Sequence, residues 1–164
     1  MTTAQTTNIV GDTTFTTPSD RELTATRLFD GTREQLWKAH TDPKHVSRWM
    51  LGPDGNTMPV CEIDLRRGGK WHFEWQGADG DMAMDGEYRE IKPPERLVNT
   101  ERWGKDWPEA ISTMVLTEEN GHTRVSTTVL YPSKEAREKA RGTGMEQGWS
   151  RSYDRLEEYL PNIR

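Results

Sequence analysis

Residues 145–160, MEQGWSRSYDRLEEYL, place an apolar side chain at about every third or fourth position. The apolar positions are Met145, Trp149, Tyr153, Leu156 and Leu160. This spacing puts all of them on one side of an α-helix, with charged residues on the opposite side. Pro161 ends the pattern. The sequence therefore predicts a long amphipathic C-terminal helix whose apolar side must pack against another element.

Upstream of this helix, residues 58–130 form short alternating segments that are separated by turns. In WHFEW at 71–75, for example, aromatic residues alternate with polar ones. Asn120-Gly121 is typical of a two-residue hairpin turn. The connections are too short for crossovers between parallel strands, so we expect an antiparallel sheet.

The segment before residue 58 predicts one more strand and two short helices. Residues 22–29 alternate as a first strand. The first helix begins at a capping box, Thr32 with Gln35, and the second begins at Asp42-Pro43. These elements predict an α+β protein in which a curled antiparallel sheet of six to seven strands wraps around the C-terminal helix. Because a curled sheet and a helix do not fill the space between them, we expect a cavity there.

The N-terminal segment differs in composition from the rest of the chain. Residues 1–20 contain eight Thr and few large apolar side chains, which predicts a flexible tail. The amino-acid composition shows no further change after residue 20, so we expect a single domain over residues 21–164.

Composition and charge exclude several function classes. The 164 residues carry a net charge of −5, with no run of basic residues, so neither nucleic acid nor a membrane surface is expected as a partner. No stretch of even ten apolar residues is present to span a membrane, and no secretory signal is visible. Together with a single cysteine, these features predict a cytoplasmic protein.

Four segments resemble a known superfamily. They are TREQLWKAHTD at 32–42, DLRRGGKW at 64–71, GEYREIKPPERLV at 86–98 and GWSRSYDRLEEYL at 148–160. In this order they are similar to the START-like (SRPBCC, helix-grip) superfamily. Within it, they look like the bacterial homologues of the C-terminal domain of the heat-shock protein 90 ATPase activator.

The resemblance implies a START-like ligand-binding domain that holds a small hydrophobic or amphipathic molecule between sheet and helix. It does not imply one activity, because the superfamily includes lipid carriers, hormone receptors, aromatase/cyclases and chaperone cofactors. The eukaryotic activator has an additional N-terminal domain that residues 1–20 cannot replace. We therefore do not expect direct stimulation of a chaperone ATPase.

Ten residues are candidates for ligand contacts because alternation or helical spacing turns them inward. The expected walls are Trp49, Trp71, Trp75, Met84, Trp103, Met114 and Trp149. Tyr88, Asn99 and Glu101 are the expected polar groups that orient the ligand.

Glu101 is the most informative of these candidates. In the predicted strand 97–103, Trp103 is expected to face inward, and strict alternation places Glu101 on the same side. Relatives usually have large aromatic or apolar residues at this position. A local bulge could turn it outward, or Arg27 or Arg102 could neutralise it. If neither happens, burial raises the pKa of Glu101 and makes it available to a ligand or to proton transfer.

The sequence shows no cofactor or metal motif. The four histidines lack metal-binding spacing, and no dinucleotide or phosphate-binding loop is present. No catalytic residue is assigned. Three functions stay open: a non-enzymatic binding module, an aromatase/cyclase- or hydrolase-like enzyme that uses Glu101 or Tyr88, and a cofactor with a chaperone partner. A monomer and a homodimer are both compatible with the sequence.

Overall fold

The computed structural model describes residues 5–78 and 80–164, which form an α+β fold with nine strands and four α-helices. The strands are β1 (Thr7–Val10), β2 (Thr13–Thr16), β3 (Glu22–Phe29), β4 (Thr57–Ile63), β5 (Lys70–Gly77), β6 (Gly80–Lys92), β7 (Arg96–Glu101), β8 (Ala110–Glu119) and β9 (His122–Leu130). The helices are α1 (Arg33–Thr41), α2 (Pro43–Trp49), α3 (Lys134–Arg141) and α4 (Met145–Tyr159), followed by a 3₁₀ helix, Leu160–Asn162.

All nine strands belong to one antiparallel sheet in the order β1-β2-β3-β9-β8-β7-β6-β5-β4. The register shifts within β4 and within β6, between Tyr88 and Glu90. Such irregularities increase the local bend and twist of a strand. The sheet curls, and α4 lies against its inner face. None of the helices in the described part of the chain is long and apolar enough to cross a membrane.

The N-termini of α1 and α2 are capped by the side chains that the sequence predicts. The side chain of Thr32 accepts a hydrogen bond from the backbone of Gln35, and the Gln35 side chain accepts one from the backbone of Thr32. Asp42 caps α2 in the same manner by accepting from Lys44, and Pro43 occupies the first helical turn. Both predicted short helices are confirmed.

The predicted flexible tail is wrong for residues 7–16, which form the β1–β2 hairpin. Thr13 and Phe15 alternate inward and are buried, with Phe15 only 1% exposed. Thr is β-branched and favours strands, so a Thr-rich segment with one aromatic residue can extend a sheet. This hairpin explains why the sheet has nine strands rather than six to seven. Residues 1–4 of the expected tail lie outside the described residues.

Helix α4 is attached to the sheet by aromatic and ionic contacts. Tyr153 packs edge-on against Phe29 of β3, with ring centroids 5.0 Å apart. The guanidinium of Arg27, also on β3, is buried and lies 2.7 Å from Asp154 Oδ1 and 2.5 Å from Glu157 Oε2. Both acids belong to α4, so a single buried cation fixes the helix above the sheet.

We predict that Phe15→Ala lowers the free energy of unfolding by about 3–5 kcal/mol, because it removes a buried ring from the hairpin. The ring also packs edge-on against Trp149, with centroids 5.8 Å apart. Ile9→Ala in the same hairpin is the control, since Ile9 is 68% exposed and should change stability little. Urea unfolding measures both variants. Equal, negligible effects would mean that the hairpin does not belong to the folded domain.

Candidate functional site

The inner face of the sheet carries a continuous row of aromatic rings. Trp71, Phe73 and Trp75 alternate inward along β5 and are nearly fully buried. Successive ring centroids are 4.7 Å apart for Trp71 and Phe73 and 5.9 Å apart for Phe73 and Trp75. Trp103, just after β7, stacks on Trp75 at 5.6 Å. The row therefore extends from β5 to the end of β7.

Most of the predicted wall residues come together in one hydrophobic cluster with Tyr88. Its buried members include Trp49, Trp71, Trp75, Met84, Tyr88 and Met114. Trp103 and Trp149 are partly buried and pack against this cluster. Trp149 also contacts a second cluster around Phe15 and Tyr131, so it lies where the two meet.

The indole N–H groups of three wall residues differ in their partners. Trp49 donates to the carbonyl of Ala39 at 2.9 Å, and Trp75 donates to the carbonyl of Met50 at 2.7 Å. Trp49, the last residue of α2, is thereby fixed against α1. By contrast, Nε1 of Trp71 is buried and has no hydrogen-bond partner among the described residues.

The backbone register of β7 turns Glu101 inward. Strand β7 pairs with β8 without interruption from Arg96↔Val115 to Glu101↔Ala110, so no bulge occurs in this pairing. Ala110, the partner of Glu101, is buried. The strand ends at Glu101 and not at Trp103 as predicted, and Arg102 forms only an isolated bridge with Asp85.

The Glu101 carboxylate has neither an ion-pair partner nor a hydrogen-bond donor among the described residues. The two arginines considered as neutralising partners lie elsewhere, because Arg27 binds Asp154 and Glu157, and Arg102 is exposed. Loss of solvent around the carboxylate raises the pKa of Glu101 from 4.5 to about 7. The residue as a whole is only partly buried, so solvent still reaches this part of the interior.

Glu146 is a second buried carboxylate, and unlike Glu101 it has hydrogen-bond donors. Glu146, at the start of α4, is buried and accepts hydrogen bonds from Arg141 Nε and Asn8 Nδ2, each at 2.9 Å. The described residues therefore supply donors to Glu146 and none to Glu101. Residue type alone does not separate the two cases.

The two remaining polar candidates, Tyr88 and Asn99, pair with each other across β6 and β7. Asn99 donates through Nδ2 to the carbonyl of Thr100 at 3.0 Å, and burial raises the pKa of Tyr88. Sequence analysis missed Tyr131, which is buried and follows β9 directly. Burial, together with the negative charges of Glu101 and Glu146, raises the pKa of Tyr131. A count along the extended β9 register would have placed it on the inner face.

The histidines and the cysteine offer no activated group. His40 is largely buried, shares a 2.7 Å hydrogen bond with the carbonyl of Leu36, and has a pKa lowered to about 4 by desolvation. His72 lies 2.8 Å from Glu74 on the outer side. Burial raises the pKa of the Cys61 thiol to about 11. Residues 5–78 and 80–164 contain no group of three His, Cys, Asp or Glu arranged to hold a metal ion.

Solved structures share this architecture. A crystal structure from Rhodobacter sphaeroides is 27% identical, with 92% of this chain and 99% of that chain covered and a TM-score of 0.84. A protein of Mycobacterium smegmatis is 23% identical, covering 94% and 97% of the two chains, with a TM-score of 0.81. The AHSA1 protein of Silicibacter pomeroyi is 23% identical over 85% and 97%, with a TM-score of 0.69.

A family model gives the identity of the domain. No curated protein matches the chain. The model described as "Activator of Hsp90 ATPase homolog 1-like protein" matches residues 30–161, which include every element from α1 to α4. This chain therefore belongs to the family of Activator of Hsp90 ATPase homolog 1-like proteins.

Proposed function

We propose that this protein binds a small hydrophobic or aromatic molecule between the inner face of the sheet and α4. The observation that carries the proposal is the inward Glu101 carboxylate, which lies near Tyr131 and has no partner among the described residues. A mainly apolar site with a few converging polar groups is typical of small-molecule recognition.

The surrounding side chains suit such a ligand. Trp75, Trp103 and Trp149 offer large flat surfaces, and two of these rings are only partly buried. Met84 and Met114 are unbranched and adjust to irregular shapes. These side chains can accommodate an aromatic body, while Glu101 fixes its orientation.

The free energy of the unpaired carboxylate supports a role in binding. Desolvating a charged group without a partner lowers stability by several kcal/mol or keeps the group protonated. A ligand that donates a hydrogen bond to Glu101 would offset this cost. Glu101 would then contribute more to the complex than to the free protein.

An enzymatic role is a second candidate, and the same residue favours it. A carboxyl group with a pKa of about 7 can give or take a proton near neutral pH, as aromatase/cyclase- or hydrolase-like chemistry requires. We prefer binding because Tyr88, the other residue considered for proton transfer, has a pKa that burial raises further from neutral pH. We still expect no direct stimulation of a chaperone ATPase. A cytoplasmic location is also part of the proposal.

We predict that naphthalene binds saturably, with one molecule per chain, and shifts the indole NMR signals of Trp75 and Trp103. Trp103→Ala should weaken binding about tenfold, because it removes a stacked ring from the site. Trp107→Ala is the matched control, since Trp107 packs in the second cluster beneath Lys139. Absence of binding, or an equal loss in both variants, would contradict the proposed function.

We predict that Glu101→Gln raises stability near neutral pH. Between pH 4.5 and about 7 the unfolded chain has lost the proton of Glu101 while the folded chain retains it, so stability falls as pH rises. Glu101→Gln removes this loss and should gain about 1–3 kcal/mol above pH 7, with no gain below pH 4.5.

Glu146→Gln is the control for that experiment. It leaves Arg141 and Asn8 with a weaker acceptor and should lower stability by about 1–3 kcal/mol. Thermal unfolding across this pH range measures both variants. A loss of several kcal/mol in Glu101→Gln would identify Glu101 as a structural ion-pair partner.

A further inference from the structure

Glu101 lies in a row of five residues that crosses the inner face of the sheet. Trp71 pairs with Gly86, and Glu101 pairs with Ala110. The Asp85–Arg102 bridge and the Tyr88–Asn99 pair place Gly86 opposite Glu101. The Ile111–Leu130 pair places Tyr131 opposite Ala110 by the same count. The two immediate neighbours of Glu101 in the row are therefore the smallest residues, glycine and alanine.

Gly86 allows the Trp71 ring to approach Glu101. A β-carbon at Gly86 would come within 2.6 Å of Trp71 Nε1 and 2.7 Å of its Cε2, which is closer than real β-carbon contacts. The nitrogen edge of the indole therefore lies over the Gly86 backbone. The same β-carbon would also clash with the carbonyl oxygen of Thr100, so this nitrogen lies beside the backbone of β7, next to Glu101.

The two groups present complementary hydrogen-bonding needs. Trp71 is 4% exposed, and its buried N–H donor has no acceptor in the described chain. Glu101 is an acceptor that lacks a donor there, yet the two do not bond to each other. Trp71 Nε1 is one of five buried side-chain nitrogens without a partner in the described residues, and an unsatisfied donor of this kind lowers stability by about 1–3 kcal/mol. Their positions on either side of Gly86 point to a third group that satisfies both.

We propose that Trp71 and Glu101 together bind the neutral hydroxyl of an aromatic ligand, whose oxygen accepts from Trp71 Nε1 and whose proton is donated to Glu101. This proposal rests on the proposed function and specifies the chemical class of its ligand. A hydroxyl is the smallest group that accepts and donates at one atom. Two consecutive hydrogen bonds of about 2.8–3.0 Å each, bent at the hydroxyl oxygen, allow the donor nitrogen and the acceptor oxygen to lie about 4.5–5 Å apart.

Other ligand groups fit this pair less well. A ligand carboxylate would face the negative charge of Glu101, and like charges repel. A cationic amine would pair with Glu101 but offers no acceptor, so the Trp71 N–H would stay unsatisfied. An ether could accept from Trp71 but has no proton for Glu101. These differences allow a direct test with ligands of nearly the same shape.

The test compares β-naphthol, its methyl ether and naphthalene by titration calorimetry at mildly alkaline pH. We expect β-naphthol to bind about tenfold tighter than the other two, a difference that corresponds to about 1.4 kcal/mol. Glu101→Met should abolish this preference, so that β-naphthol, its methyl ether and naphthalene bind with equal affinity. Trp71→Phe should do the same, and Glu101→Met decides the question if Trp71→Phe does not fold.

Each result separates the two proposals. Equal affinity of the three ligands for the wild-type protein, or a preference for β-naphthol that persists in Glu101→Met, would overturn the inference while the proposed function stands. Failure of all three to bind would contradict both. A preference that disappears in Glu101→Met supports both.

Discussion

The guanidinium of Arg27 holds the two layers of this protein together. It lies on β3 with its side chain only 2% exposed, and it pairs with Asp154 and Glu157 of α4. A buried cation without partners would be strongly destabilising, so the position of α4 over the sheet is tied to these acids. The edge-on packing of Tyr153 against Phe29 reinforces the same contact.

The charged groups of the interior differ in whether they have a partner of opposite charge. Arg27 is occupied by the acids of α4, and Arg141 is occupied by Glu146. Glu101 faces the same interior, farther along the sheet, and receives no cation in the described chain. The indole N–H groups also differ in their partners. Those of Trp49 and Trp75 donate to backbone carbonyls, whereas that of Trp71 has no acceptor among the described residues. Trp71 and Glu101 belong to one row of the sheet, and the proposed ligand would supply a partner to both.

Sequence reasoning succeeded where the physical signal was local. The capping box at Thr32, the Asn120-Gly121 turn with positive φ at both residues, and the alternation along residues 97–101 each depend on neighbouring residues only. The α+β class followed from the order of these elements. The inward position of Glu101 could be predicted for the same reason, since β7 contains no Gly or Pro that would break the alternation.

The features that were missed depend on contacts between distant segments. The β1–β2 hairpin is stabilised by the burial of Phe15 against Trp149, which lies far away in sequence. Whether Glu101 or Glu146 is paired depends on where Asn8 and Arg141 reach in the folded chain. The closeness of the Trp71 nitrogen to β7 depends on a glycine in the strand between them. Such relations arise from cross-strand register, which the local pattern does not contain.

The most direct measurement is the pKa of Glu101 in the folded, ligand-free protein, followed by carbon-13 NMR of the side-chain carboxyl and assigned with Glu101→Gln. An unpaired carboxylate in an aromatic interior predicts a titration midpoint near 7. A midpoint at or below the ordinary value of 4.5 would contradict the account, because it would show that the carboxylate is solvated or paired with a cation.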